Sequence, residues 1–351
     1  MHKSVRLSLV VIAVSMGCRS SPPATVSGAP ISLQGAGATF PYPLYSKWVA
    51  EYQKRDPRVR INYQSIGSGG GIRQITERTV DFGASDAPMN DDELGRAPAK
   101  LIHVPTALGA VVVTYNLPGV SGLKLSAELI AAVFLGEISS WADPMIAAAN
   151  PGLKLPAGPL MVTYRSDGSG TTAVFTEYLA KVSPAWKEKV GSGKSVKFPV
   201  GLGAKGNEGV AGQIKATPGS LGYVELAYAK QAGLAFALVQ NRAKAFVAPS
   251  VDSVKAAAAA VADTIPDDLR VSIVDPPGAD AYPIASFTYI LAYAAQPDAV
   301  KGKALAQFLW WAIHDGQLLA PGLDYAPLPA ALALRIEAKL KLLEANGAPL
   351  L

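Results

Sequence analysis

The feature that most constrains this chain is a repeated order: a short strand pattern, a cluster of Gly, Ser and Thr, then a helical pattern. VRINYQ, residues 59–64, sets Val59, Ile61 and Tyr63 against Arg60, Asn62 and Gln64, a period of two with one buried face. SIGSGGG, 65–71, follows it and precedes a helix carrying Ile72 and Ile75. LMVTY, 160–164, reads as a buried strand and runs into RSDGSGTT, 165–172, which opens a helix with Val174, Phe175, Tyr178 and Leu179 at helical spacing. GAGATF, 35–40, leads into a helix with Leu44, Trp48, Val49 and Tyr52, and FGASDAP, 82–88, follows another short strand. Asn90 caps a helix start with Glu93 three residues on. LIHVPTALGAVVVTYN, 101–116, is an apolar strand, and GYVEL, RVSIVD and SFTYILAYA read as later ones. The alanine run 256–260 reads as helix, and two helices over about 301–314 and 329–344 close the chain. Strands alternating with helices predict an α/β fold with mainly parallel sheets.

At 351 residues the chain exceeds the usual ceiling for a single core, so two domains are expected. No Pro/Gly linker divides the body, which predicts domains joined by more than one crossover. Half the residues are apolar and 17% are charged, a composition for packed domains. The net charge of +5 is scattered, without Lys/Arg runs interleaved with aromatics, so no nucleic-acid partner is expected.

The N-terminus reads as an export signal. Lys3 and Arg6 precede an apolar stretch, residues 7–16, that is too short to span a bilayer. VSMGC ends in Cys18, the one cysteine, and resembles a lipoprotein signal in which that cysteine is acylated; Ser15 stands where the pattern usually carries an aliphatic residue. Residues 1–18 are thus expected as a signal peptide and 19–31, rich in Ser, Pro and Ala, as a flexible tether. An exported protein is expected, in the periplasm or at the cell surface, held to the membrane through Cys18. With no second cysteine there is no internal disulfide.

The glycine and hydroxyl clusters share one chemistry. The first N–H groups of a helix lack intrahelical partners, and the helix dipole favours negative charge there. Glycine permits close approach, hydroxyls donate without charge, and Arg165 supplies a planar fork of donors. Together they suit a small tetrahedral anion. Catalysis finds less support. No cluster supplies a P-loop, neither Ser68 nor Ser169 sits in G-x-S-x-G, and His2, His103 and His314 complete no Ser/His/Asp set or zinc cluster. No cofactor and no metal are expected. Asp86 stands out, because an ionised carboxylate only accepts hydrogen bonds. It would admit an oxyanion that still carries a proton, as phosphate does near neutral pH, and repel sulfate, which carries none.

GAGATFP, YQSIGSGGG, VDFGASDAP, YRSDGSGTT, GLGAKGNEGV, GSLGYVELAYAK and LDYAPLP, in this order over about 33–328, resemble the periplasmic phosphate-binding proteins of bacterial high-affinity phosphate transporters. The resemblance implies a two-lobed α/β clamshell of the type II periplasmic-binding kind, with two crossover segments near LIHVPTALGA and AYPIASF and the ligand between the lobes. It implies a first lobe from 32–107 plus 284–351 and a second from 108–283. It implies that phosphate is held by Thr39, Phe40 (through its N–H), Ser68 and Asp86 of the first lobe and Arg165, Ser169, Gly170 and Thr171 of the second, with Asp167 orienting Arg165. Two departures from the family pattern are Gly69, where a second serine is frequent, and Ser166, where alanine is usual; neither is a matched ligand position. The implied function is capture of inorganic phosphate by a monomer, without catalysis, and delivery to the permease subunits and ATPase of an ABC transporter. The alternatives are an enzyme using the same loops, or a signalling or adhesion protein that binds another oxyanion.

Overall fold

The computed structural model describes residues 29–351. The expected signal peptide, Cys18 and the tether up to residue 28 lie outside the described residues. Strand β1 (Ile31–Gly37) pairs in parallel with β2 (Val59–Ser65) and with β3 (Phe82–Ser85). Ile31 is thus already a strand residue opposite Val59. In β2 the period-two reading holds: Val59 is buried, Ile61 and Tyr63 are half-buried, and Arg60, Asn62 and Gln64 are exposed. The helices α1 (Tyr42–Arg55) and α2 (Ser68–Thr76) follow β1 and β2, and the short α3 (Asp91–Gly95) follows β3. Asn90 caps α3 as the sequence predicts: its side chain accepts from Glu93 N at 2.8 Å and Glu93 returns the bond to Asn90 N at 3.0 Å.

Strand β4 (Leu101–Tyr115) is buried along all fifteen residues, as expected of an apolar run with no alternation. It then enters a second set of strands. These are β5 (Met161–Arg165), β6 (Leu202–Ala204) and β7 (Ser220–Glu225), with β5 parallel to both neighbours. The helices α4 (Gly170–Val182), α5 (Gly206–Ala216) and α6 (Leu226–Gln231) follow β5, β6 and β7 in turn. The chain returns through β8 (Ala285–Tyr293) and passes through α7 (Ala299–Ile313) and α8 (Ala330–Leu340), which stops short of residue 344 because Glu344–Ala345 pairs antiparallel with Ala348–Pro349 to close the chain. The sheet order is β2-β1-β3-β8-β4-β7-β5-β6.

The sheet is mixed, where the sequence suggested mainly parallel pairing. The flanks are parallel, but β8 runs antiparallel to β3 and β4, and β4 antiparallel to β7. The reason is connectivity: a chain that leaves one lobe along β4 and re-enters along β8 must run those two strands in opposite directions. The first part of β4, Leu101–Ala110, pairs with β8, and the last part, Val111–Tyr115, pairs with β7. One strand therefore belongs to two lobes. A second difference concerns RVSIVD, residues 270–275, which forms no strand. Val271 exchanges hydrogen bonds with the Tyr289 hydroxyl, and the Arg270 guanidinium is held by Asp268, Asp91 and the Met89 carbonyl. Side-chain partners thus replace a ladder, while Ile273 and Val274 still bury their apolar surface.

Candidate anion-binding site

The cleft forms where β1, β2, β3 and β5 end. All four glycine clusters sit at these strand ends; in FGASDAP the first four residues are β3 itself. The starts of α1, α2 and α4 lie beside the cleft-lining residues of three clusters, and the lobes meet backbone to backbone. Gly69 N donates to Gly168 O at 2.9 Å. A Cβ on Gly170 would lie 2.5 Å from Ser68 Oγ and 2.6 Å from Asp86 Oδ2, which explains why no side chain is tolerated there. The cleft is therefore closed, and Thr39, Phe40, Ser68, Asp86, Arg165, Ser169 and Thr171 are all buried.

The hydroxyls are arranged to give their protons outward. Thr39 Oγ1 accepts from Asn207 N at 3.3 Å and from Asn207 Nδ2 at 2.7 Å. Thr171 Oγ1 accepts from Asn207 Nδ2 at 3.2 Å and Arg165 at 3.4 Å. Ser169 Oγ caps α4 by accepting from Thr172 N at 3.0 Å. Each oxygen already accepts, so its own O–H is left to donate. Helix geometry adds the N–H groups of Gly170 and Thr171, which have no intrahelical acceptor at the start of α4.

Arg165 is fixed by Asp167 through two parallel bonds, Nε to Oδ1 at 2.8 Å and a terminal nitrogen to Oδ2 at 2.6 Å. Burial raises the Asp167 carboxyl, but the guanidinium and the Gly206 N–H outweigh it and hold the group below its usual range. The remaining edge of the guanidinium reaches Thr171. The one acid among the cleft-lining residues singled out from sequence is Asp86. Burial pushes its carboxyl up to about 7, against the pull of Thr288, Arg165 and Ser68, which favour the charge. Thr288 Oγ1 donates to Oδ1 at 2.9 Å, and Oδ2 lies 3.5 Å from Ser68 Oγ.

Sequence reading missed four residues here. Asn207, at the start of α5, ties Thr39 of one lobe to Thr171 of the other and is itself oriented by Glu225 N, 3.0 Å from its Oδ1. Tyr228 donates to Thr39 O at 2.6 Å, and Tyr325 donates to Phe40 O at 2.6 Å while lying 3.1 Å from Glu225 Oε2. Thr288 reaches Asp86 from β8. Asn207, Tyr228 and Tyr325 occur in GLGAKGNEGV, GSLGYVELAYAK and LDYAPLP, whose spacing was visible but whose use was not. His103 is packed away from the cleft, accepting Met89 N–H at Nε2. Among the described residues no group of three or more His, Cys, Asp and Glu is placed to hold a metal ion.

The profile of the PBP superfamily domain matches residues 24–315. A phosphate-binding protein PstS of Pasteurella multocida is 46% identical over 314 residues, covering 88% of this chain and 90% of the relative. The chain belongs to the PstS family. The Xylella fastidiosa (strain 9a5c) PstS is 45% identical over 324 residues, 92% of this chain and 88% of that one. Among solved structures, a high-affinity periplasmic phosphate-binding protein bound with phosphate superposes with a TM-score of 0.70 over 88% of this chain and 93% of that one. At 24% identity that likeness speaks for the fold alone: a two-lobed periplasmic-binding clamshell.

Proposed function

We propose that this PstS family member captures inorganic phosphate between its lobes and hands it to an ABC-type import permease driven by its ATPase. The observation that carries the reading is the ratio of donors to acceptors in the cleft. Hydroxyls of Thr39, Ser68, Ser169 and Thr171, the Arg165 guanidinium and the N–H groups of Phe40, Gly170 and Thr171 face one acceptor, Asp86. A monoprotonated phosphate matches that set: its bare oxygens accept, and its one O–H donates to Asp86. Sulfate would set oxygen against carboxylate with no proton between them. The lobes are taken as 32–107 plus 284–351 and 108–283, so the ligands divide four and four, and only closure completes the shell. That gives the ligand the differential affinity that closing requires.

The reading is of a monomeric receptor rather than a catalyst. Ser169 Oγ accepts from Thr172 N and Ser169 N donates to Lys194 O, so its partners are backbone groups of a helix cap rather than a base that would activate a nucleophile. The protein acts outside the cytoplasmic membrane, anchored through acylated Cys18. The test is calorimetric titration of phosphate-stripped protein with phosphate and with sulfate. Tight phosphate binding without a sulfate response is expected. Asp86→Asn should weaken phosphate about 10-fold and admit sulfate, since one charge-assisted hydrogen bond is lost and the repulsion removed. Unchanged selectivity in that variant would refute the role of the carboxylate.

A further inference from the structure

Behind Asp86 stands a file of buried hydroxyls on β8, β4 and α1 that the capture reading does not use. Opposite Thr288 the register of β4 slips: Thr288 faces Ala107 and Tyr289 faces Pro105, leaving Thr106 as an extra, bulged residue. Pro105 has no N–H to give a ladder at this point. The bulge is pinned from three sides. Thr106 Oγ1 donates to Thr288 O at 3.0 Å, and the Tyr45 hydroxyl lies 2.6 Å from that same Oγ1. Since the Thr106 proton is committed to the carbonyl, Tyr45 is the donor. Gln317 Nε2 donates to Thr106 O at 2.9 Å. The result is that Thr288 Oγ1 is held 2.9 Å from Asp86 Oδ1, while Ser286, two residues earlier on β8, donates to Asp86 O at 3.0 Å. A buried threonine could satisfy its hydroxyl on any nearby carbonyl; this one is spent on a carboxylate, and on one oxygen of it.

We propose that Thr288 is a specificity-determining residue, which by occupying Oδ1 fixes the Asp86 carboxylate and leaves Oδ2 as the single acceptor a guest can meet. The inference rests on reading the cleft as a phosphate site. Its consequence is electrostatic as well as geometric. A donor on Oδ1 favours the ionised carboxylate. Ionised, Asp86 takes the proton of phosphate and rejects sulfate; protonated, it would donate to sulfate and lose the discrimination. The other groups facing it are Arg165 and Ser68, which also favour the charge, and Tyr45, Tyr63, Tyr228, Tyr325 and Glu225, all pushed by burial toward their neutral forms. Thr288 therefore shares with Arg165 and Ser68 the work of keeping the proton off.

The test is to titrate full-length wild type, Thr288→Val and Thr288→Ser with phosphate and with sulfate between about pH 5.5 and 8.5, where sulfate itself has no proton to lose. For Thr288→Val, phosphate should weaken about 10-fold, and the pH below which sulfate binds should rise by about one unit, as expected when a hydrogen bond to the charged form is removed. Thr288→Ser should keep the wild-type ratio and profile. Equal weakening of both anions with an unmoved sulfate profile would overturn the proposal, as would a folded serine variant that fails to restore selectivity. Should the valine variant not fold, Tyr45→Phe, which removes only the support of the bulge, must move the sulfate profile the same way by a smaller amount; no movement overturns it. Wild type that binds no phosphate would sink the capture reading itself, a distinct result.

Discussion

His103 shows what a titratable residue does here when it is not at the site. It is buried on β4, and its Nε2 accepts the Met89 N–H at 2.9 Å, so a proton on that nitrogen would set donor against donor. Burial, with Arg270 and Lys194 nearby, pulls the imidazole down to about 4 from 6.5. The folded state thus prefers the neutral ring. Its contribution to stability is complete above pH 6.5 and is lost as pH falls toward 4, about 3 kcal/mol in all. Asp86 acts with the opposite sign: raised from 3.8 to about 7, it makes the fold less stable as pH rises through that window. The two slopes oppose each other between about pH 4 and 6.5. His103→Gln, which keeps an acceptor for Met89, should remove one of them. Urea denaturation is then expected to show the variant gaining about 2 kcal/mol on wild type between pH 7 and 4.5. Parallel curves would contradict the account.

Between elements, the loop after the helix Pro184–Lys189 straps the cleft. The Lys194 carbonyl accepts from Ser169 N at 2.8 Å, and its ammonium reaches Glu93 of α3 in the other lobe at 2.8 Å. One residue thus ties the loop that carries Ser169 to the segment just after Asp86. The pair is partly exposed, so it adds about 1 kcal/mol or less to closure. Lys194→Met should speed phosphate release by up to about 5-fold and flatten its dependence on salt. Stopped-flow release traces identical to wild type at low and high salt would remove the strap from the mechanism. At this scale the sequence was legible where period and caps were local: β2, the capping box at Asn90, the apolar run of β4 and the helix starts at the glycine clusters. It was not legible where a partner came from far along the chain. RVSIVD alternates like a strand, yet Tyr289 and Met89 take its bonds. Thr288 looked like one polar residue in an apolar strand, because Asp86 lies 202 positions away. Asn207 could be suspected only because GLGAKGNEGV is one of the motifs that carry the family resemblance, not from any chemistry of its own.

For the whole molecule, the clearest expectation concerns the N-terminus. No helix among the described residues is long and apolar enough to cross a membrane. If Cys18 is acylated, wild type should pellet with membranes and Cys18→Ala should stay in the supernatant at equal expression. Equal partitioning of both would end the anchor hypothesis.

The placement of β8 also bears on how the protein assembles. Strands β1, β2, β3 and the first part of β4 are made early, but β8 fills the gap between β3 and β4 and is encoded after residue 284. A chain emerging N-terminus first must keep an open slot in its first sheet while some 170 intervening residues are synthesised and find their own core. Until then two apolar strand edges stand unpaired, the condition in which chains stick to one another. The interval before that slot is filled is when a holding chaperone would matter most to this protein, and truncations before residue 293 should be sticky rather than merely weak.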